Sequence, residues 1–209
     1  MALFNAQYIE PLREKHKALK FRKKIKIAVL DSGLDYHDAF IKGAIKTRYI
    51  TDRWSPTGTD WEDVLDIYGH GTHVTRLLLD TAPLAEICGA KFSRDKNLDE
   101  SEMQVIANAI DWAVQTVNAD IITMSFGMEK KLEEVAQKIK SALDHRKLVF
   151  AAASNGGGLA PRASPACLPG VICIHATDGY GNPATFNSTP YYGWHEGTAT
   201  VFSKPTAIL

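Results

Sequence analysis

The 209-residue sequence lacks the marks of several protein classes. It has three cysteines, Cys88, Cys167 and Cys173, and no Cys-x-x-Cys pair. This argues against a disulfide framework or a zinc site, and Cys88 and Cys173 lie in apolar runs typical of core residues. No apolar run reaches the length of a membrane span, and the first residues contain no segment suited to a signal peptide. We therefore expect a soluble, intracellular protein.

The sequence also lacks an excess of charge of either sign. Lys plus Arg total 24 and Asp plus Glu total 24, so the formal net charge is zero. This balance does not favour nucleic acid as a partner. One basic stretch, Arg13 to Lys24, is interpreted as a solvated helix face or a lead-in segment, with a nucleic-acid or membrane patch as the alternative. We expect no nucleic-acid and no membrane partner.

Short apolar segments alternate with segments of helical periodicity along the chain. Strands are predicted over 25–31, 85–92, 119–127, 147–158 (running into a glycine-rich loop) and 170–177. Helices are predicted from His70 onward and over 98–118 and 129–146, whereas 42–67 is interpreted as loops with at most a short strand. This alternation predicts an α/β fold with three layers, a mostly parallel sheet covered by helices on both faces.

Polar and glycine-rich segments follow the predicted strands. They read DSG after the first strand, KFSRD after the second, SFG in the third and SNGGG after the fourth. Binding sites of open α/β sheets form at the carboxyl ends of the strands. The sequence therefore predicts that a functional site lies at this edge of the sheet.

His70 has two alternative chemical roles. It opens a predicted helix, where the N-terminus disfavours the imidazolium and suits a neutral base, and Gly69 and Gly71 leave room for a substrate. Asp31, at the end of the first strand, either closes its own turn or orients a histidine. Alternatively, His70 and His73 bind a metal ion together, although the HExxH pattern is absent. We expect no metal, and His73 is interpreted as a packing residue.

Asn155 precedes the glycines at 156–158. It either satisfies the geometry of its turn or donates its amide N–H to a developing oxyanion. A phosphate-binding loop is the third alternative, but neither GxxxxGK[ST] nor GxGxxG occurs in the sequence. Nucleotide binding is therefore not predicted.

Taken together, Asp31 in AVLDSGLD, His70 in YGHGTHV, Ser125 to Gly127 in ITMSFG and Asn155 in AAASNGG resemble the subtilisin-like serine peptidases. The resemblance implies proteolysis by a serine-type endopeptidase acting on an extended peptide or protein substrate. Asp31 then corresponds to the triad aspartate, His70 to the general base and acid, and Asn155 to the oxyanion donor. Ser125, Phe126 and Gly127 correspond to the segment that pairs with the substrate.

The sequence departs from this family at the nucleophile. The family's serine lies in a Gly-Thr-Ser-x-Ala-x-Pro segment that opens a buried helix, and the nearest match is EGTATVFSKPTAIL, with Ala199 in place of the serine. Three explanations stay open: a truncated or mis-spliced peptidase, a non-catalytic peptide-binding pseudopeptidase or scaffold, and use of Ser203 in an altered register. We expect an N-terminal arm over 1–23 and a partial, incomplete or inactive peptidase domain over 24–209.

Two further expectations follow from the resemblance. Many family members bind calcium in an insertion after the HGTHV helix, but here residues 79–83 lead almost directly into the next strand. We expect no calcium there, and no cofactor. The chain is predicted to be a monomer or part of a larger chain.

Overall fold

The computed structural model places a parallel sheet at the centre of the chain. It describes residues 5–19, 23–92, 102–157, 160–178, 182–188 and 199–201. The strands of the described sheet are β1 Lys26–Asp31, β2 Ile50–Trp54, β3 Glu86–Lys91, β4 Ile121–Met124, β5 Leu148–Ala152, β6 Ile172–Ala176 and β7 Ala199–Val201. They pair in the order β2-β3-β1-β4-β5-β6-β7, every pair parallel. The predicted parallel sheet is confirmed.

Helices connect these strands. They are α1 Glu10–Leu19, α2 Ala39–Lys46, α3 His70–Thr81, α4 Glu102–Asp111 and α5 Glu133–Asp144. A π-helical turn, Asn5–Ile9, precedes α1, and another, Trp112–Thr116, extends α4. No described helix is both long enough and apolar enough to cross a lipid bilayer.

The central strand β1 explains why helices cover both faces of the sheet. Its last five residues are buried, and successive side chains of a strand point to opposite faces. Ile27 and Val29 belong to the core cluster that includes residues of α2 and α3, whereas Ala28 and Leu30 belong to the cluster of α4 and α5. The predicted layers, helix on sheet on helix, are therefore confirmed. Cys88 and Cys173 are buried as predicted.

The segment 42–67 was predicted wrongly in part. It contains β2, in line with the short strand allowed there, but α2 begins before it and reaches Lys46. The carboxylate of Asp38 caps α2 by accepting hydrogen bonds from the backbone N–H groups of Phe40 and Ile41, both at 3.0 Å. The helix is only eight residues long and has Gly43 in its middle, so its helical period is weak in the sequence.

Several predicted boundaries were also too wide. Strand β4 ends at Met124, so Ser125 to Gly127 lie beyond it, because the pairing of β4 with β1 ends at Leu30. Strand β5 ends at Ala152, well before the glycines, and α5 begins at Glu133 rather than at residue 129. Residues 98–101, 158 and 202–209, which include Ser203, lie outside the described residues.

Candidate active site

The predicted site residues lie at the carboxyl edge of the sheet or beside it. Asp31 is the last residue of β1, residues 125–127 directly follow β4, and Asn155 lies in the turn after β5. Strands β1, β4 and β5 are consecutive neighbours in the parallel sheet, so these three segments leave it at the same edge. His70, the first residue of α3, reaches this edge through its contact with Asp31.

Asp31 and His70 form a hydrogen-bonded pair. His70 Nδ1 lies 2.7 Å from Asp31 Oδ1, and the backbone N–H of Ser32 donates to the same oxygen at 2.8 Å. The Asp31 side chain is almost fully buried at the end of β1, which fixes its direction. Because a carboxylate only accepts, the proton of this contact belongs to Nδ1 and the lone pair of neutral His70 lies on Nε2. The arrangement leaves Nε2 able to accept a proton.

The pKa of His70 is raised above its ordinary value of 6.5. The hydrogen bond to Asp31 is the largest cause; partial burial lowers the pKa, and the negative charges of Asp31 and Asp66 raise it further. The direction of this shift is opposite to the one expected from the helix start alone. His70 is a neutral base only above this raised pKa.

The two glycines that flank His70 have different surroundings. A Cβ atom on Gly71 would lie 2.4 Å from the carbonyl oxygen of Gly33 and 3.1 Å from Asp31 Cβ. Gly71 is therefore needed for the close approach of α3 to the turn after β1, a requirement that was not predicted from the sequence. Gly69 has open space around it, but its φ of +89° is in the left-handed region that favours glycine.

His73 is exposed on α3, so the interpretation as a packing residue was wrong. It lies one helical turn beyond His70, and its ring contacts solvent rather than the core. In the described residues, no group of three His, Cys, Asp or Glu side chains could hold a metal ion. A metal site built on His70 and His73 therefore finds no third ligand in that part of the chain.

Sequence reasoning missed Asp66. Its carboxylate is buried and accepts four hydrogen bonds, from Ser32 Oγ, from Gly69 N, and from the backbone and hydroxyl of Thr72. These donors belong to the turn after β1 and to the first turn of α3. An acidic residue shortly before a helix start was the available signal, because such residues cap helices.

The segment 125–127 combines a packed side chain with an exposed backbone. The Phe126 ring lies 4.5 Å from that of Phe92, centroid to centroid, whereas Gly127 is exposed. Within the described ranges, residues 125–127 make no backbone hydrogen bond to another segment, but Met128 pairs with Ser164. A Cβ atom on Gly127 would lie 2.6 Å from Ala163 Cβ.

Asn155 is exposed in the turn after β5. Its side chain makes no hydrogen bond to any residue the structure describes, and Ser154 before it has a φ of +106°. Further along, Gly157 has a φ of +81° and donates its N–H to the carbonyl of Phe186 at 3.0 Å. The turn therefore presents the Asn155 amide to solvent, with its donors unused.

Ala199 does not open a helix. It is the first residue of β7, whose backbone pairs with Ile174 of β6. From the sequence, the family's serine is expected to open a buried helix, and in this structure Ala199 lies in a strand instead; the alignment of Ala199 with that serine stays a prediction. Gly197, Thr198 and Ser203 lie outside the described residues.

The structure is an α/β fold in which a buried aspartate and a partly buried histidine are hydrogen-bonded at the edge of the sheet. Comparison with known proteins identifies the family. The model of the subtilase family, peptidase S8, matches residues 22–194. The chain belongs to the subtilase family.

Individual relatives agree with this assignment. The chain is 30% identical to the minor extracellular protease Epr of Bacillus subtilis, an alignment covering 97% of this chain and 30% of that protein. It is 32% identical to the major intracellular serine protease of the same organism, covering 65% of this chain and 44% of that protein. A solved structure of the prenylagaramide maturation protease PagA superposes with a TM-score of 0.64 at 25% identity, covering 85% of this chain and 62% of the other. The chain thus spans less than half the length of these two curated relatives.

Proposed function

We propose that this protein is a serine endopeptidase of the subtilisin type, with Asp31 and His70 as its acid–base pair. The observation that carries the proposal is the 2.7 Å contact between His70 Nδ1 and Asp31 Oδ1 at the carboxyl edge of the sheet. Membership of the subtilase family supplies the reaction class. Asp31 holds the imidazole in the tautomer that leaves Nε2 free to accept a proton.

In the proposed reaction, His70 Nε2 takes the proton of a serine hydroxyl while the serine oxygen attacks the carbonyl carbon of the scissile peptide. The carbonyl oxygen becomes an oxyanion, to which the Asn155 side chain donates a hydrogen bond. His70 then gives the proton to the leaving amine, and the C–N bond breaks. Water repeats the sequence on the acyl-enzyme and releases the acid and the serine.

The substrate is proposed to be an extended peptide or protein segment that pairs with residues 125–127. The unpaired backbone of these residues supports this, since an extended peptide adds to an open edge through main-chain hydrogen bonds. Phe126 is held in place by Phe92, and Gly127 leaves the backbone open.

The serine itself is the open part of the proposal. The family's Gly-Thr-Ser-x-Ala-x-Pro pattern does not occur in the 209 residues. The test therefore compares this chain with a version extended by the family's serine segment, each exposed to a fluorophosphonate probe of serine nucleophiles. We expect labelling of the extended version and none of the unextended chain.

The control is the extended version with His70→Ala, which should lose labelling because no base activates the serine. An extended version that folds but stays unlabelled would contradict the assignment as an enzyme. Labelling of the unextended chain would instead assign a nucleophile among its present serines, with Ser203 the first to replace by alanine.

The second candidate function is a non-catalytic peptide-binding or scaffold module. It is favoured by one observation, the absence of the family's serine pattern from the 209 residues. This function predicts saturable binding of an extended peptide without cleavage. Gly127→Ala should abolish binding because its Cβ atom would lie 2.6 Å from that of Ala163 and so displace the backbone of residues 125–127 that is proposed to pair with the peptide. Gly43→Ala, where a Cβ atom would meet no neighbour among the described residues, is the matched control and should bind normally.

The remaining assignments are also proposals. We propose an arm over 1–23 and a peptidase domain over 24–209, a division supported by a family match that starts at residue 22. The proposed intracellular location is supported by the major intracellular serine protease among the relatives, whereas Epr is named as extracellular. Detection of the protein in the cell or in the medium of its source distinguishes the two.

A further inference from the structure

A second buried carboxylate lies beside the Asp31–His70 pair. Oδ1 of Asp66 accepts hydrogen bonds from Ser32 Oγ and from the Gly69 backbone N–H, both at 2.8 Å. Its Oδ2 accepts from the backbone N–H of Thr72 at 2.8 Å and from its hydroxyl at 2.7 Å. The carboxylate is the acceptor in all four hydrogen bonds. Asp66 is 6% exposed, so water does not compete for these donors.

These hydrogen bonds join the two segments that carry the pair. Ser32 follows Asp31 in the turn after β1, and its Oγ also accepts the backbone N–H of Gly71 at 3.0 Å. His70 therefore lies between two tethered amides, that of Gly69 on Asp66 and that of Gly71 on Ser32. The position of the imidazole relative to Asp31 is set from both sides by one carboxylate and one hydroxyl.

The charges around Asp66 favour the same arrangement. Besides Asp31 and His70, a third charged side chain reaches this turn: Lys91 at the end of β3 donates from Nζ to the carbonyl of Leu65 at 2.5 Å. The negative charge of Asp66 at the start of α3 interacts favourably with the positive end of the helix dipole. It also contributes to the raised pKa of His70.

We propose that Asp66, acting through Ser32 and the amides that flank His70, is the positioning residue that holds His70 against Asp31. This rests on the proposed function in that the Asp31–His70 pair is the acid–base pair. Asp66 itself contacts neither substrate nor reacting atoms. Its effect is exerted on the direction and the protonation of the His70 ring.

The test is Asp66→Asn in this chain, read by NMR titration of the His70 ring. The matched control is Asp38→Asn, because Asp38 also caps a helix through two backbone N–H groups and also contacts α3, through Arg76. We expect Asp66→Asn to lower the pKa of His70 and to weaken or abolish the downfield Nδ1–H signal. Asp38→Asn should leave both unchanged. A folded Asp66→Asn chain whose His70 titrates like the unmodified protein overturns the proposal.

A second variant keeps the proposal testable if Asp66→Asn does not fold. Ser32→Ala removes only the bridging hydroxyl, and we expect the His70 Nδ1–H proton to exchange with water several-fold faster than in the unmodified chain. An unchanged exchange rate contradicts the proposal. Neither readout needs a nucleophile, so these outcomes are independent of whether the extended version is labelled by the fluorophosphonate.

Discussion

The start of α3 and the turn after β5 lie at the same edge of the sheet, but they are held very differently. At the start of α3, buried carboxylates and a serine hydroxyl connect His70, Gly69, Gly71 and Thr72 to the end of β1. In the turn after β5, Asn155 is exposed, and its side chain makes no hydrogen bond to the described residues.

This difference separates two tasks of the proposed reaction. Proton transfer needs a histidine fixed within hydrogen-bond reach of its partners, and a rigid, buried network provides that. An oxyanion donor must keep its N–H groups unpaired until charge develops on the substrate, so an exposed amide is compatible with that role. We expect substitutions in the first region to change stability and titration, and substitutions in the second to act mainly on chemistry.

The largest expected effect is the loss of stability on replacing Gly71. Gly71→Ala places a Cβ atom 2.4 Å from the Gly33 carbonyl oxygen, a backbone contact that cannot move aside. We expect the free energy of unfolding to fall by about 3 kcal/mol. Gly157→Ala is the matched change after β5, where an added Cβ atom would have no atom of the described residues within 4 Å and only the φ of +81° opposes alanine. That change should cost about 1 kcal/mol. Equal losses of unfolding free energy for the two variants, measured by urea denaturation, would contradict the proposed difference between the two regions.

The next effect concerns pH. Because the pKa of His70 is raised and only the neutral ring accepts a proton, labelling of the extended version by a fluorophosphonate should increase with pH. The midpoint of the increase should lie above 6.5, the ordinary value for histidine. A midpoint at or below that value would show that the carboxylates do not govern the ring.

The same raised pKa gives stability the opposite dependence on pH. The protonated ring is favoured in the folded state, so its contribution is fully present below the ordinary pKa of 6.5 and is lost as pH rises through the folded value. Comparison of the unmodified chain with His70→Gln in urea at several pH values isolates this contribution. A difference that grows with rising pH would have the wrong sign.

A smaller effect on stability is expected at Asn155. Asn155→Ala should change the free energy of unfolding by no more than about 0.5 kcal/mol, because the side chain is exposed. In the extended version it should slow peptide cleavage, because it removes a hydrogen-bond donor to the oxyanion. The standard example of this effect is itself a subtilisin. A large loss of stability without loss of cleavage would reverse the roles assigned to the two regions.

The smallest perturbation uses the cysteines as probes of each region. Cys88 is buried in β3 beside β1, and burial raises its pKa to about 11, whereas Cys167 is exposed. The backbone N–H of Cys167 bonds to Ala163, whose own N–H bonds to Ala153 at the end of β5. A thiol reagent should therefore modify Cys167 rapidly and Cys88 only on unfolding, because the thiolate is the reactive form. Comparable rates, followed by mass spectrometry, would contradict this.

The Asp31–His70 contact was predictable because each residue lies at the end of an element with a clear sequence pattern. Asp31 ends an apolar strand and His70 opens a helix, so the parallel topology brings them to one edge. Asp66 was missed because it lies between elements, and its donors Ser32 and Thr72 come from separate segments. Such a network depends on tertiary contacts, which leave no periodic pattern in the local sequence.

Two other features of the site could not be predicted, for equally specific reasons. The largest cause of the raised pKa of His70 is its 2.7 Å contact with Asp31, a tertiary contact that the helix start in the sequence does not display. The role of Gly71 depends on how closely two backbones approach, and composition cannot reveal that distance. In both places the local rule was valid, but a tertiary neighbour decided the outcome.

The most direct measurement of the central claim is the titration of the His70 ring by NMR in the unmodified chain and in Asp31→Asn. We predict a pKa above 6.5 and a protected downfield Nδ1–H proton in the unmodified chain, and in Asp31→Asn a lower pKa and loss of that proton signal. A His70 pKa at or below 6.5 that Asp31→Asn leaves unchanged would contradict the existence of the acid–base pair.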